Sequence, residues 1–357
     1  MKIANLSVCI ITKDECNKLE RCLKSLQGYG FEIIVVDTGS ADDTIQMAQN
    51  YTQQVYEYAW CDDFAAAKNY AAEKATNDYI LSMDSDEYLV PLTEQQFAQL
   101  QQQLEQHPGQ VGRIYCINEI ERDGEERENY EWISRLYSKK DYFYKGRIHE
   151  QLTAYKTYKK GNADTFQSVI TIRHDGYKGT AEEKKRKAMR NIRLLERELE
   201  AEENPYLLYQ LGKAYYMAGD PLRAAEYFDR GLYYELDPRL EYVIDMVETY
   251  GYALINSGQE KKALGLEGVY EEFGVYADFQ FLMGLIYMKN AMFPEAVEEF
   301  EKATRQRQCR MQGVNSYLAY HNIGVILECL GMEEDAQGYY HKERESRREA
   351  LSQRRKE

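Results

Sequence analysis

The sequence predicts an α/β domain built on a mostly parallel sheet, followed by an all-α repeat domain. Three observations lead there. The first 120 residues alternate near-continuous Val/Ile runs with helical patterns. From about Thr180 the apolar period becomes helical. Beyond Asn204 one Gly-to-Ala offset recurs four times.

The runs "LSVCIIT" (6–12), "FEIIVVD" (31–37), "QVYEY" (54–58), "YILSM" (79–83) and "VGRIYCI" (111–117) read as strands. Helices are expected near 15–27, 42–53, 64–75 and 93–106. Unbroken apolar strands separated by helices indicate a parallel sheet covered on both faces. The segment "ERDGEERENY" (121–130) reads as a charged, turn-rich loop. "ISRLYS", "YFYKGRIHEQL" and "FQSVITIRH" read as shorter strands that extend the sheet antiparallel. In "AEEKKRKAMRNIRLLERELE" the residues Ala188, Ile192, Leu195 and Leu199 share one helical stripe. Gly212, Gly251, Gly284 and Gly324 then each stand twelve residues before an alanine, at 224, 263, 296 and 336. Small residues at both points let antiparallel helices approach closely. The period of 33–40 residues resembles tetratricopeptide repeats, arrays that present a concave surface suited to peptides. The domains expected are residues 1–178, a linker helix at 179–203, and helical repeats over 204–357.

With 357 residues the chain exceeds one ordinary core. A net charge of −15 argues against sequence-independent binding to nucleic acid or an anionic membrane. No apolar run approaches the roughly 18–20 residues of a membrane span. The N-terminus reads as a first strand rather than a signal peptide. Seven scattered cysteines without a CxxC pair suit a reducing, cytoplasmic setting.

In parallel sheets ligands bind at the carboxyl ends of strands. Thr12–Asp14, Asp37–Ser40 and Asp84–Glu87 all fall there. Asp84 and Asp86, at i and i+2 past a buried strand, can both reach one divalent cation if the chain bends, and Mn²⁺ or Mg²⁺ takes such oxygen ligands. A turn or helix-capping role is the competing reading. Asp37 is placed to accept from a nucleobase N–H or a ribose hydroxyl, and Gly39 allows the sharp turn that follows. In "WCDDFAAAKNYA" Asp62 or Asp63 caps an Ala-rich helix that carries Lys68, a useful cation beside a diphosphate.

"SVCIITKDECNKLERCLKSL", "EIIVVDTGSADDT", "WCDDFAAAKNYA" and "YILSMDSDEYL" occur in order with short spacers. Together they resemble glycosyltransferase family 2, which has the GT-A fold, a Rossmann-like mixed sheet that binds nucleotide-sugars. The resemblance is strong over about 6–90 and weaker to about 177. With the helical repeats, the layout is similar to peptide S-glycosyltransferases of bacteriocin pathways. It implies an inverting, metal-dependent hexosyltransferase that uses a UDP-linked sugar. It further implies that Thr12, Asp14 and Glu15 line the nucleotide pocket and that Asp37 and Gly39 hold the base or ribose. Asp63, Lys68 and Ser85 lie near the nucleotide and its diphosphate. Asp84 and Asp86 bind Mn²⁺ or Mg²⁺, Asp86 the more directly.

The sequence departs from the family in lacking a well-placed late Glu-Asp pair to serve as base. "GRIHEQL" offers His149 and Glu150, with Glu150 the first choice for the base and Asp86, Glu87, Asp175 or His149 the others. His174 is the first choice for a third metal ligand, as GT-A enzymes draw one from a late histidine, and His149 is its rival. A peptide or protein acceptor would be met through the repeats, which equally suit a homo-oligomer. Two other readings compete. One is a catalytically silent, repeat-bearing peptide-binding module. The other is a sugar nucleotidyltransferase, which lacks support from any glycine-rich basic loop near the first strand.

Overall fold

A computed structural model describes residues 5–122, 125–155, 164–175 and 181–354. The chain divides into two compact units, Met1–Gly179 and Thr180–Glu357. Residues 178 and 179, where the sequence places a boundary, lie outside the described residues.

The first unit opens with β1 (Leu6–Thr12), α1 (Cys16–Ser25), β2 (Glu32–Asp37), α2 (Thr44–Gln49), β3 (Val55–Glu57), α3 (Phe64–Lys74) and β4 (Tyr79–Asp84). It continues with β5 (Glu87–Leu89), α4 (Glu94–Gln106), β6 (Val111–Arg122), β7 (Glu125–Ser138), β8 (Tyr142–Lys145), β9 (Gln151–Ala154) and β10 (Thr165–His174). Eight strands form one sheet in the order β3-β2-β1-β4-β7-β6-β10-β5, and β8 and β9 form a separate hairpin.

The unbroken apolar runs are explained by cover on both faces. Val8 and Ile10 pack into a core with Leu19 and Leu23 of α1 and Phe97 and Leu100 of α4. Cys9, between them, faces the opposite core with Ala71 of α3 and Tyr144 of β8. Such strands have no wet side to alternate against.

The segment 121–130 differs from the expected loop. β6 and β7 pair antiparallel through Arg122↔Glu125, so most of it is strand. Its charges suit the end of a long hairpin as well as a loop, and composition does not separate the two. The three-residue β5 is too short to leave a periodic signal.

The second unit is helical, and the expected linker helix is α5 (Ala181–Ala201) within it. Then come α6 (Pro205–Met217), α7 (Pro221–Leu232), α8 (Glu241–Asn256), α9 (Glu260–Ala263), a 3₁₀ turn (Leu264–Val269), α10 (Tyr270–Phe273), α11 (Ala277–Lys289), α12 (Phe293–Arg305), α13 (Tyr317–Cys329) and α14 (Glu333–Arg354). The repeat is a helical hairpin with more fixed positions than the Gly–Ala offset alone. Gly212, Gly284 and Gly324 each face an aromatic ring sixteen residues on. A Cβ on them would come within 2.5 Å of Phe228, 2.6 Å of Phe300 and 2.6 Å of Tyr340. The hairpin turns lie seven residues after each of the four glycines, at Gly219, Gly258, Ala291 and Gly331, all with positive φ. In the second repeat the aromatic position is Glu267. Leu266 and Leu282 pack against Gly251 instead. There the second helix of the hairpin breaks into α9, the 3₁₀ turn and α10.

Candidate active site

β1, β2 and β4 are parallel, with Thr12 paired to Asp37 and Ile11 to Asp84. Their acidic ends therefore share one edge of the sheet. Asp37 Oδ1 accepts the Gly39 and Ser40 N–H groups, each at 2.8 Å. Gly39 has φ +103, a conformation L side chains rarely adopt. Beside this turn, Asp37 Oδ2 and Thr12 Oγ1 are buried with no hydrogen-bond partner. Such orphaned atoms are rare, and each calls for an explanation.

The Thr12–Glu15 segment is tied to the Asp37 turn. The Thr12 carbonyl accepts from the Thr38 N–H at 2.9 Å and its hydroxyl at 3.0 Å. Asp14 accepts from the Ala41 N–H at 2.7 Å, and its own N–H donates to Ser40 Oγ at 2.8 Å. The Ser85 hydroxyl donates to Glu15, which links this segment to the β4 end.

At that end the chain turns sharply, and Glu87 Oε2 accepts the Asp84 N–H at 2.8 Å. Lys68 Nζ lies 3.0 Å from Asp84 Oδ1 and 2.7 Å from Glu150 Oε1. Arg135 Nη2 lies 2.8 Å from Asp84 Oδ2 and 3.4 Å from Glu87 Oε1. Burial pushes the Asp84 carboxyl up, but Arg135 and Lys68 outweigh it and hold the group well below the usual range. Burial pushes Glu87 up, and Asp84 adds to this against the pull of Arg135. Lys68 stays charged despite burial because Asp84 and Glu150 flank it. The small buried residues Ala65, Ala67, Ala71 and Ala72 let α3 carry it close to the sheet. Asp63, rather than Asp62, caps α3 by accepting the Ala66 N–H at 2.8 Å.

Asp86 turns toward β10. The sheet register pairs His174 with Glu87 on one side and Asn118 on the other. His174 Nε2 stands 3.5 Å from Asp86 Oδ1, and His174 Nδ1 stands 2.7 Å from Asn118 Oδ1. Lys18 Nζ lies 3.9 Å from Asp86 Oδ2. Burial pushes the imidazole pKa down, but Asp86, with Glu87 and Asp84 behind it, raises it overall. His174 is thus the histidine that meets Asp86. His149 sits at φ +51, and its carbonyl accepts from the Gln151 side chain at 3.2 Å.

Asp84 and Asp86, expected to share one cation, have different side-chain partners. Each Asp84 oxygen is already held by a side-chain cation, and among the described residues no three His, Cys, Asp or Glu side chains gather as a metal-binding group. Asp86 and His174 do fit a divalent cation, as a carboxylate and an imidazole side by side. Ligand oxygens and water would make up the rest, as is usual for Mg²⁺ at phosphate sites.

The sequence offers Glu87 only as an alternative base and does not single out Asn118 or Lys18. Arg135 stands next to the buried Leu136 and Tyr137, a local signal that could have marked it as partner to a buried acid. Asn118 carries no such signal, since only the β6–β10 register places it beside His174.

The fold and this edge define an α/β domain whose parallel strands end in a shared polar edge. Residues 7–184 match the sequence model of the family described as "Glycosyl transferase family 2", so the chain carries a glycosyltransferase family 2 domain. A TPR repeat-containing protein of Synechococcus elongatus is 31% identical over 236 residues, 64% of this chain and 57% of that protein. The SPbeta prophage-derived glycosyltransferase SunS of Bacillus subtilis is 26% identical over 231 residues, 62% of this chain and 52% of that one. The chain spans about half the length of these curated relatives. Among solved structures, MamA is similar at 24% identity and a TM-score of 0.41, over 49% of this chain and 99% of MamA. Among the described residues no helix is long and apolar enough to cross a membrane.

Proposed function

We propose that the protein transfers a sugar, with inversion, from a UDP-linked donor to a side chain of a peptide or protein. The observation that carries this reading is the meeting of Asp86 with His174 on the sheet edge that also holds the orphaned Thr12 and Asp37 atoms. β10 runs in the same direction as β4, so a base held at Asp37 and a diphosphate held at Asp86 lie along one edge.

In this reading Asp37 Oδ2 accepts from the base or ribose, with Thr12, Asp14, Glu15 and Gly39 shaping the recess. Ser85 and Asp63 hold the loop and helix that border it. Lys68 and Arg135 set positive charge near the diphosphate, and Asp84 keeps both in place. Asp86 and His174 would hold Mn²⁺ or Mg²⁺, which supplies charge to offset the departing diphosphate. The acceptor attacks the anomeric carbon from the face opposite the diphosphate. The bond from that carbon to the diphosphate oxygen breaks, and the acceptor's proton passes to Glu150, with His149 beside it in sequence. A thiol acceptor would lower the demand on that base. The helical repeats support a polypeptide acceptor, since such arrays present extended concave surfaces. The scattered thiols support a cytoplasmic setting.

The test is incubation with a panel of UDP- and GDP-sugars and Mn²⁺, scored by released nucleotide. UDP release from a UDP-sugar, lost in Asp86→Ala, is expected. Full turnover by Asp86→Ala would overturn the metal assignment, and turnover with GDP-sugars alone would overturn the donor.

A further inference from the structure

Asn118 lies on β6, is 2% exposed, and touches two charged or titratable side chains. Its Nδ2 donates to Glu131 Oε1 at 2.6 Å, and its Oδ1 lies 2.7 Å from His174 Nδ1. A carboxylate accepts hydrogen bonds and an amide NH₂ only donates. Glu131 therefore fixes which way the Asn118 amide points. With NH₂ toward Glu131, the amide oxygen must face His174. That oxygen accepts only, so His174 Nδ1 must carry the proton. A neutral His174 then carries its lone pair on Nε2, and 3.5 Å away is a carboxylate oxygen of Asp86. Two lone-pair donors at that separation suit a cation between them.

We infer that Glu131 and Asn118 are positioning residues that lock His174 in its Nδ1–H tautomer and so preset Nε2 and Asp86 as a ligand pair. The relay is polar at every step and runs in one direction from β7 through β6 to β10. The same logic underlies metal-bound histidines elsewhere, whose second nitrogen is held by an outer acceptor. Here the acceptor is itself oriented by a further charged group. Cys116 adds a thiol contact to Asn118 Oδ1 at 3.7 Å, a weak donor on the same oxygen. This inference rests on the proposed metal site, and its test separates the two.

The tautomer is read in metal-free protein by ¹⁵N-imidazole NMR, at a pH alkaline enough to keep His174 neutral. The chain has only five histidines, and His174→Gln assigns the resonance by its disappearance. The Nδ1–H form is expected in the wild type. Glu131→Gln, on the exposed end of the relay, no longer dictates the amide direction, and a mixture of tautomers is expected. Asn118→Leu should show the mixture as well, if it folds. Electron paramagnetic resonance titration with Mn²⁺ should show affinity weakened about 10–100-fold in Asn118→Leu. An Nε2–H wild type, or an Nδ1–H form that persists unmixed in Glu131→Gln, overturns the inference. Unchanged Mn²⁺ affinity in His174→Gln overturns the metal reading separately, whatever the tautomer.

Discussion

Lys68 and Asp84 meet at 3.0 Å beside the end of β4, and the same ammonium lies 2.7 Å from Glu150 on the β9 side. One buried cation thus joins a helix, the acidic turn and the segment before the β8–β9 hairpin closes. Lys68→Met would leave two carboxylates facing a gap. Breaking a buried ion pair costs roughly 3 kcal/mol or more. Urea unfolding should show a loss of that order, and a loss below about 1 kcal/mol would mean the network is not structural.

Asp84 and Asp86 should part company on substitution. Asp84→Asn weakens the hold on Lys68 and Arg135 and is expected to lower thermal stability. Asp86→Asn leaves that network intact and is expected to cut Mn²⁺ affinity by about tenfold or more, as a ligand oxygen is lost. Calorimetry and Mn²⁺ titration on both variants check this. Equal effects of the two on Mn²⁺ would show a cation shared by both carboxylates.

Asp37→Ala removes the orphaned oxygen and also the acceptor for the Gly39 and Ser40 N–H groups. Asp37→Asn keeps an acceptor for the turn but replaces the charge. Both should weaken UDP binding in isothermal titration, by about 1–3 kcal/mol for a lost charged hydrogen bond, with Asp37→Ala alone also losing stability. UDP affinity unchanged in both would remove Asp37 from the nucleotide site.

The repeats offer a paired test. In Gly284→Ala the new Cβ would stand 2.6 Å from Phe300 Cε1, and overpacking of this kind costs about 1–3 kcal/mol. Ala291 sits at φ +57 where the other three turns use glycine. Ala291→Gly should stabilise by about 0.5–1 kcal/mol, as strain at a left-handed position is relieved. Thermal melts should move in opposite directions.

Glu248 on α8 supplies a pH dependence. Burial pushes its carboxyl up to about 8, with Asp278 and Asp245 adding to the rise and Arg310 opposing it. In the unfolded chain the group returns to an ordinary value near 4.5. Between the two values the folded state holds the proton and the unfolded state does not. Stability therefore falls as pH rises through that window, by up to about 1.4 kcal/mol per unit. Glu248→Gln should flatten the profile relative to wild type in urea unfolding between about pH 5 and pH 8. A profile of unchanged slope would show that Arg310 keeps Glu248 ionised throughout.

Much of the fold is legible in the sequence because it is written as hydrophobic periodicity. β1, β2 and β4 are unbroken apolar runs because both faces are covered, and Thr12, Asp37 and Asp84 stand out as the places where those runs stop. The repeats are legible because helix contact at Gly212, Gly284 and Gly324 requires a missing side chain at a fixed offset. The hairpin β6–β7 is harder to see, since its outer end is charged throughout.

The sequence by itself determined an α/β domain with acidic strand ends on one edge, and a helical array beyond it, because local pattern encodes burial. It did not determine which acid meets which cation. That depended on β5, three residues long, folding back to place His174 between Glu87 and Asn118, and on the antiparallel pairing of β7 with β4, which delivers Arg135 to Asp84. Asp84 and Asp86 are chemically alike and two residues apart. Only the tertiary fold gives Asp84 two close cations and Asp86 an imidazole with Lys18 at 3.9 Å, because charge partners are chosen by proximity in space rather than along the chain.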